Sequence, residues 1–487
     1  MNNQTKQTPN GKDITFGLAV IPILVLVLLL VTGLALLPLA IHGSLNEGSV
    51  ALETIFLLAI TFAVFYMYRL GFSWKEIQES AASKVKECVP ALMILFAIGV
   101  LIGSWIISGT IPMLVYYGIK MINPHYMYIA AFLVPIVFSM LTGTSWGSAG
   151  TIGVVIMGVA IAIDANLAIT AGAVVGGSYF GDKLSPLSDT TNFAAMGAEV
   201  DLYDHIKSML YTTTPATIIA ITLYAILGFT NKPAITSLND PQVIETLNSL
   251  HDAFNFNIIL LVPPLIVLLG AFTRKPTAPT LIVSSLVAVL IGLFIQSFSV
   301  IDTFNALKSG FSLSMVQHLD SLPQTDVLKT LQRGGLYNLI EGIVVAMMVF
   351  TFLGVLELID AVSIMVKGAF AWIKGARTLV ITTLISTGIT NALTANQTAV
   401  SFLIGGIFRK KYDDMGIQRR VLSRSIEDNG TLLESLLPWH PTGIFMALTL
   451  GVPVAQYAQF QFLSLANIAI AFLYAIFGLF IFKVKDK

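Results

Sequence analysis

Long apolar runs without charged residues, separated by short polar segments, make up most of the chain. A helix needs roughly 20 apolar residues to cross the hydrocarbon core of a bilayer. Runs suited to one span occupy 14–41, 50–68, 89–109, 208–231, 253–273, 276–301 and 334–356, and a longer run occupies 435–482. The pattern predicts an all-α polytopic membrane protein with about ten transmembrane helices.

Two further apolar stretches fit neither one span nor two. Residues 378–408 lie between Arg377 and Arg409, so both ends face the same side. We expect a re-entrant hairpin of two short helices whose polar tip, 391–398 (NALTANQT), satisfies the freed backbone groups. Residues 124–163 predict a second hairpin that enters from the opposite side, with its tip at 141–148 (LTGTSWGS). The alternative is that each hairpin arm spans the membrane fully.

An internal repeat relates the two hairpins and the segments that follow them. At an offset of 252, six positions carry identical or similar residues: Leu141 and Leu393, Thr142 and Thr394, Asp182 and Glu434, Leu184 and Leu436, Pro186 and Pro438, and Thr190 and Thr442. Inverted-topology repeats with broken helices are common in secondary transporters. We therefore expect a first repeat half at 1–232, linker helices and an external interfacial segment at 233–334, and the second half's core at 335–487.

Composition narrows the class of protein. Hydrophobic residues make up 55% of the chain and charged residues only 11%, and the mean hydropathy is +0.82, whereas soluble domains carry about 25% charged residues. The net charge of zero gives no indication of nucleic-acid binding. A single cysteine, Cys88, excludes internal disulfides and thiolate metal clusters. No phosphate-loop or zinc-protease motif occurs, so we expect neither an enzyme nor a bound cofactor.

Basic residues predict the orientation in the membrane. Lys and Arg concentrate in 69–86, 274–275, 367–377, 409–424 and 483–487, whereas 42–49, 231–252 and 302–333 are poor in them for their length. Cytoplasmic loops carry the excess of Lys and Arg. The protein is therefore expected in the cytoplasmic membrane, in contact with lipid and with both termini cytoplasmic. A homodimer is a further expectation.

The first polar cluster between apolar helices is 182–192. Pro186 breaks the helix here, and four side chains around the break offer oxygen atoms: Asp182, Ser185, Asp189 and Thr190. Hard cations such as Na⁺ prefer oxygen ligands. We predict that Asp182, Ser185 and Asp189 bind Na⁺ together with Thr144 of the first tip. The alternative is an ordinary polar loop at the membrane rim.

A matching second cluster and the two tips supply further candidates. Asp428, Asn429 and Thr431 precede the second break, although Arg424 stands one helical turn before Asp428 and could instead pair with it. Residues at the tips could bind ions or only cap helices: Thr144, Ser145, Asn391, Asn396 and Gln397. Glu341 sits within a predicted span. The candidates for proton coupling are Asp182, Asp189, Glu341 and Asp428.

Three strings resemble the NhaC-type sodium/proton antiporters of the ion-transporter superfamily. They are LTGTSWGSAGTIG (141–153), GDKLSPLSDTTNFAA (181–195) and SRSIEDNGTLLESLLPWHPTG (423–443). The resemblance implies exchange of Na⁺ for H⁺, and the family also includes a malate/lactate antiporter. In that family Ser-Pro often stands where this chain has Glu434-Ser435, and Asn is common at His440. These departures affect the second half of the site.

The expected mechanism is competition between Na⁺ and H⁺ for shared carboxylates, chiefly Asp182 and Asp189. Deprotonation favours cation binding, and protonation releases the cation. The alternative function is sodium- or proton-coupled transport or exchange of a small organic solute, such as malate and lactate or an amino acid, with Lys183 aiding an organic anion. A pore or an intramembrane enzyme has less support, because no nucleophile–base pair is evident.

Overall fold

The computed structural model describes residues 7–43, 48–235, 237, 239–296, 298–316 and 325–484. Within these ranges the chain is all-α, as predicted. Parts of the predicted external segments, 44–47, 236, 238 and 317–324, lie outside the described residues, as do the terminal basic residues Lys485 and Lys487.

The N-terminal helices are α1 (Phe16–Val31), α2 (Leu37–His42), α3 (Leu52–Arg69) and α4 (Trp74–Ile107). A π-helical turn, Thr32–Leu36, joins α1 to α2. The helix α4 begins well before the apolar run at 89–109. Its start is a capping box in which the Ser73 backbone N–H donates to the Glu76 carboxylate and the Glu76 N–H donates to Ser73 Oγ.

The first half continues with α5 (Thr110–Met121), α6 (Met127–Thr142), α7 (Ser145–Ser148), α8 (Val154–Ala162), α9 (Leu167–Leu184), α10 (Asp189–Ala198) and α11 (Leu202–Thr230). The middle of the chain forms α12 (Pro241–Ala253), α13 (Val262–Phe272), α14 (Thr277–Phe294) and α15 (Val300–Ser309). The span expected at 253–273 belongs to a bent pair of helices. It contains a 97° bend between α12 and the helix Ile258–Phe272, where Asn257 caps the second helix.

The second half comprises α16 (Asp326–Thr330), α17 (Ile340–Glu357), α18 (Ala361–Gly368), α19 (Ala376–Thr394), α20 (Gln397–Asp414), α21 (Arg419–Asn429), a 3₁₀ helix (Thr431–Leu436), α22 (Pro441–Leu450), α23 (Val454–Tyr457) and α24 (Phe462–Phe477). Among the described residues, eight helices have the length and apolarity of a membrane span, or ten when each of two bent pairs counts as one. The prediction of about ten spans is confirmed.

Element boundaries recur 252 positions later. The helical segment Ser145–Ala162 recurs as α20, and α10 recurs as α22. The helix α9 recurs as α21 together with the 3₁₀ helix Thr431–Leu436. The internal repeat predicted from sparse residue matches is therefore present in the backbone.

The two hairpins exist, but the predicted eight-residue tips are too long. Only Gly143 and Thr144 separate α6 from α7, and only Ala395 and Asn396 separate α19 from α20. Gly143 and Ala395 take left-handed backbone angles that end one helix abruptly, and the next residue caps the following helix. Both arms of the first hairpin have the length of a membrane span, as the alternative topology requires.

Glycines let the helices around the breaks approach one another at backbone distance. A Cβ on Gly177 of α9 would lie 2.1 Å from the Phe132 carbonyl oxygen on α6. A Cβ on Gly405 of α20 would lie 2.0 Å from the Gly197 carbonyl oxygen on α10. The second contact joins the two halves of the repeat beside the first break.

Candidate functional site

The first break follows α9. Ser185 is extended and Pro186 cannot donate a backbone hydrogen bond, so the helix stops and α10 begins at Asp189. The Ser185 hydroxyl donates to the Met140 carbonyl oxygen at 3.0 Å and accepts from the Leu187 N–H at 3.3 Å. These bonds hold the break against the end of α6. Ser185 thus fixes the backbone and is not among the residues that line the neighbouring cavity.

Asp182 lies in the last turn before this break and is 6% exposed. The Ser145 hydroxyl donates to Asp182 Oδ2 at 2.5 Å, and the Ser188 hydroxyl donates to Oδ1 at 2.5 Å. The Thr190 hydroxyl is 3.5 Å from Oδ1. Within the described part of the chain, Asp182 makes no ion pair. A buried carboxylate whose side-chain donors are all neutral hydroxyl groups remains open to a proton or a metal cation.

Glu434 occupies the corresponding place at the second break. It is 7% exposed and lies in the 3₁₀ helix between α21 and α22. Its Oε2 accepts from the Thr442 hydroxyl at 3.0 Å and the Tyr179 hydroxyl at 3.3 Å, and its Oε1 accepts from Asn391 Nδ2 at 3.4 Å. Tyr179 belongs to α9, so the second carboxylate is partly held by the first half.

A cavity of about 990 Å³ lies between the two breaks and both tips. Seven of the predicted site residues line it: Thr144, Ser145, Asp182, Asp189, Thr190, Asn396 and Gln397. Sequence reasoning did not select Glu434, His440 or Thr442, which also line it. The match at offset 252 between Asp182 and Glu434, and between Thr190 and Thr442, was the signal that could have identified two of them.

The tip residues cap helices and face the cavity at the same time. Thr144 Oγ1 accepts from the Gly147 N–H at 3.3 Å, and Asn396 Oδ1 accepts from the Ala399 N–H at 3.2 Å. Gln397 Oε1 accepts from Asn391 Nδ2 at 3.1 Å. Asn391 also donates to the Gly430 carbonyl oxygen at 2.8 Å, and its Oδ1 is 3.0 Å from His440 Nε2. Asn391 therefore stabilises the second break through Gly430 and His440.

Asp428 is neither a rim residue nor part of the cavity lining. It is 1% exposed and forms an ion pair with Lys183. The Thr212 hydroxyl and Asn467 Nδ2 each donate to the same oxygen at 2.9 Å. Arg424 Nε is 3.9 Å from the other oxygen. The proposed pairing with Arg424 is thus present but secondary, and Lys183 pairs with Asp428 instead of neutralising Asp182.

Four other candidates are not buried ligands in the cavity, because each either lies outside its lining or is exposed. Asn429 donates to the Leu384 carbonyl oxygen at 2.8 Å and stabilises the end of α21. Thr431 is buried behind the second break. Asp189 lines the cavity but is exposed at the first position of α10. Glu341 lies within the span Leu336–Glu357, as predicted, but it is exposed near the start of that span and does not line the cavity.

Broken helices that bring buried carboxylates to a cavity between two repeats define a secondary membrane transporter. The chain matches the Na⁺/H⁺ antiporter family over residues 177–479, more than half of its length, and belongs to that family.

Three relatives illustrate the breadth of that family. The chain is 39% identical over 466 residues to a Haemophilus influenzae protein named "Uncharacterized Na(+)/H(+) antiporter", covering 95% of this chain and 96% of that protein. It is 33% identical to the "Na(+)/H(+) antiporter NhaC" of Alkalihalophilus pseudofirmus, covering 87% and 89%. It is 32% identical to the "Malate-2H(+)/Na(+)-lactate antiporter" of Bacillus subtilis, covering 86% and 88%.

Proposed function

We propose that this protein exchanges Na⁺ for H⁺ across the cytoplasmic membrane. The observation that carries the proposal is Asp182, a buried carboxylate at a helix break whose side-chain hydrogen bonds all come from hydroxyl groups. Hydroxyl groups can donate to a carboxylate or turn their lone pairs toward a cation. Asp182 can therefore hold either a proton or Na⁺ at one place. When only the occupied carrier reorients, this competition produces antiport.

The position of the cavity supports an inward-open state. Its lining extends from Asp182 and Glu434 to the exposed residues Glu87, Arg274 and Lys275. The basic-residue distribution predicts that Arg274 and Lys275 are cytoplasmic. Water and Na⁺ would then reach Asp182 from the cytoplasm in this conformation.

Purified protein in vesicles that contain a pH-sensitive dye tests the exchange. Added external Na⁺ should alkalinise the interior in a saturable manner, without any organic solute, because Na⁺ enters as H⁺ leaves. Vesicles without protein provide the control. Alkalinisation that requires an organic solute would reject simple Na⁺/H⁺ exchange.

Exchange of a small organic anion is the second candidate. The cavity of about 990 Å³ is far larger than one Na⁺ ion requires, and two basic residues, Arg274 and Lys275, line it. One relative is named as a malate/lactate antiporter. In the same vesicles, malate inside and lactate outside should then accelerate the Na⁺-dependent pH change. An unchanged rate with both solutes would reject this candidate.

Cysteine labelling tests the proposed orientation. Asn239 follows α11 on the predicted external side, and Asp414 ends α20 on the predicted cytoplasmic side. Both are exposed, so single cysteines at these positions on a Cys88→Ser background should react from opposite sides of the membrane. Labelling of both from the same side would contradict the proposed topology.

A further inference from the structure

Glu427 is a buried acid to which the exchange mechanism above gives no role. It lies on the inner face of α21 and is 0% exposed. Neither carboxylate oxygen has a hydrogen-bond partner among the described residues. A charged carboxylate without donors is costly to bury. Glu427 must therefore carry a proton or be accompanied by a cation.

The buried charges near Glu427 do not balance. Four carboxylates are buried here, Asp182, Glu427, Asp428 and Glu434, against two cations, Lys183 and Arg424. Both cations are placed around Asp428, and the Lys183 ammonium also donates to Asn467 Oδ1 at 3.2 Å. Asp182 and Glu434 at least receive hydrogen bonds from neutral groups. Lys183 also interacts electrostatically with Glu427, but its ammonium is bonded to Asp428 and Asn467. Glu427 is thus the buried acid that receives no hydrogen bond of normal geometry to offset its charge.

Oxygen atoms from both halves of the repeat converge on Glu427. The Thr190 hydroxyl, 3.5 Å from Asp182 Oδ1, also lies beside the Glu427 carboxyl group. The Thr431 hydroxyl lies beside the same carboxyl group. Thr431 is 0% exposed, and its hydroxyl has no hydrogen-bond partner of normal geometry in the described part of the chain. Na⁺, a hard cation, prefers such carboxylate and hydroxyl oxygens.

We propose that Asp182, Thr190, Glu427 and Thr431 form an occluded Na⁺ site between the two repeats, and that Glu427 holds a proton when Na⁺ is absent. The proposal rests on Na⁺/H⁺ exchange as the function. It adds an acid from the second half to Asp182 from the first, so that closing the site on Na⁺ requires both halves. Each bound Na⁺ would displace the proton on Glu427 in addition to any proton on Asp182.

Other titratable groups surround the proposed site, and their contributions must be separated from that of Glu427. Lys183 and Asp182 on α9 interact with Glu427 itself. Asp189 on α10 interacts with Asp182, His205 on α11 interacts with Lys183, and Tyr412 and Tyr474 interact with Arg424. Glu434 lies beyond Asp182. For this reason each variant is measured over the same pH series, and protons are counted directly.

The test measures radioactive Na⁺ binding and Na⁺-induced proton release by the purified full chain in weakly buffered detergent solution. Glu427→Gln keeps the side-chain size and should weaken Na⁺ binding about tenfold or more, and it should reduce the number of protons released per bound Na⁺. Glu427→Asp should restore part of both. Glu245→Gln, an exposed acid on α12, is the matched control and should leave both unchanged.

Wild-type Na⁺ affinity and proton release in a folded Glu427→Gln protein would overturn the proposed site. Should Glu427→Gln not fold, Thr190→Val and Thr431→Val decide the question. Each should weaken Na⁺ binding about threefold or more, and unchanged affinity in both would overturn it. Failure of the proposed exchange has a different signature, since the wild-type protein itself would then show no Na⁺-driven proton flux in vesicles.

Discussion

The two helix breaks share a backbone plan but differ in the groups that hold their carboxylates. At the first break, Asp182 is held by Ser145, Ser188 and Thr190, all from the first half. At the second, Glu434 is held by Thr442 and Asn391 of its own half and by Tyr179 of the other. The breaks recur at the same spacing, yet the longer side chain of Glu434 reaches into the opposite half.

This difference indicates which break exchanges its bound ion. Hydroxyl groups can exchange donation to a carboxylate for coordination of a cation, whereas an amide N–H can only donate. The side chains around Asp182 offer only hydroxyl groups and can therefore serve both a protonated and a Na⁺-bound state. The shell of Glu434 includes an amide donor and is better suited to fixing the geometry of the second break. Substitutions at the two breaks, at the ion pair between the halves and at the two tips test this distinction.

Asp182→Asn should have the largest effect. Asn keeps the shape but cannot exchange a proton at physiological pH, so Na⁺-driven proton flux in vesicles should fall to that of protein-free vesicles. The unfolding temperature, measured in parallel, should show that the protein is folded. A folded Asp182→Asn protein with wild-type flux would remove Asp182 from the mechanism. Asp189→Asn, at an exposed position, should reduce flux less.

Lys183→Met should have the next largest effect, mainly on stability. Lys183 follows Asp182 in sequence but pairs with Asp428 of the second half. Removing one partner of a buried ion pair costs about 3–5 kcal/mol. The thermal unfolding midpoint in detergent should fall sharply, and adding Asp428→Leu should restore much of it. An unchanged midpoint in Lys183→Met would show that the pair does not join the halves.

Glu434→Gln should leave exchange active with a weaker dependence on Na⁺. The substitution keeps the contacts to Thr442 and Tyr179 but removes one ionisable carboxyl group that lines the cavity. The Na⁺ concentration for half-maximal flux should rise about threefold to tenfold. Complete loss of flux in a folded protein would make the two breaks equivalent and contradict the distinction drawn here.

Thr144→Val and Asn396→Leu at the two tips should have the smallest effects. Each residue caps the helix that follows it, and loss of a cap costs about 0.5–2 kcal/mol. Thr144 lies beside Ser145, the donor to Asp182, so its variant should weaken the apparent Na⁺ affinity more than Asn396→Leu does. Flux titrations with Na⁺ measure both. If both variants keep the Na⁺ dependence of the wild-type protein, Thr144 and Asn396 only cap helices.

The sequence was sufficient for the fold class and the breaks, because apolar run length and proline position act locally. Pro186 and Pro438 marked breaks that the structure contains. Run length was not enough at 253–273, since an apolar stretch does not reveal the bend that Asn255 and Asn257 accompany. Tip length was also overestimated, because polar residues such as Ser145 and Gln397 begin helices rather than interrupt them.

The candidate site was predicted best where its residues are close in sequence. Asp182 and Thr190 flank one break, and the structure brings both to the cavity. Partners distant in sequence could not be assigned, because only folding joins Lys183 to Asp428 or Tyr179 to Glu434. Glu427 was missed because its local sequence does not set it apart from other acids. Nothing in its local sequence distinguishes a buried acid without donors from the neighbouring Asp428, which has several.

The glycine contact between α10 and α20 has a mechanical consequence. Gly197 and Gly405 bring two backbones together, and a Cβ on either would collide with a main-chain oxygen of the partner helix. Helices joined in this way form one rigid unit. This unit contains Thr190 from one half and Gln397 from the other. When the carrier rocks, we expect α10 and α20 to move together. Side-chain oxygen atoms from opposite halves of the chain would then move together with these two helices.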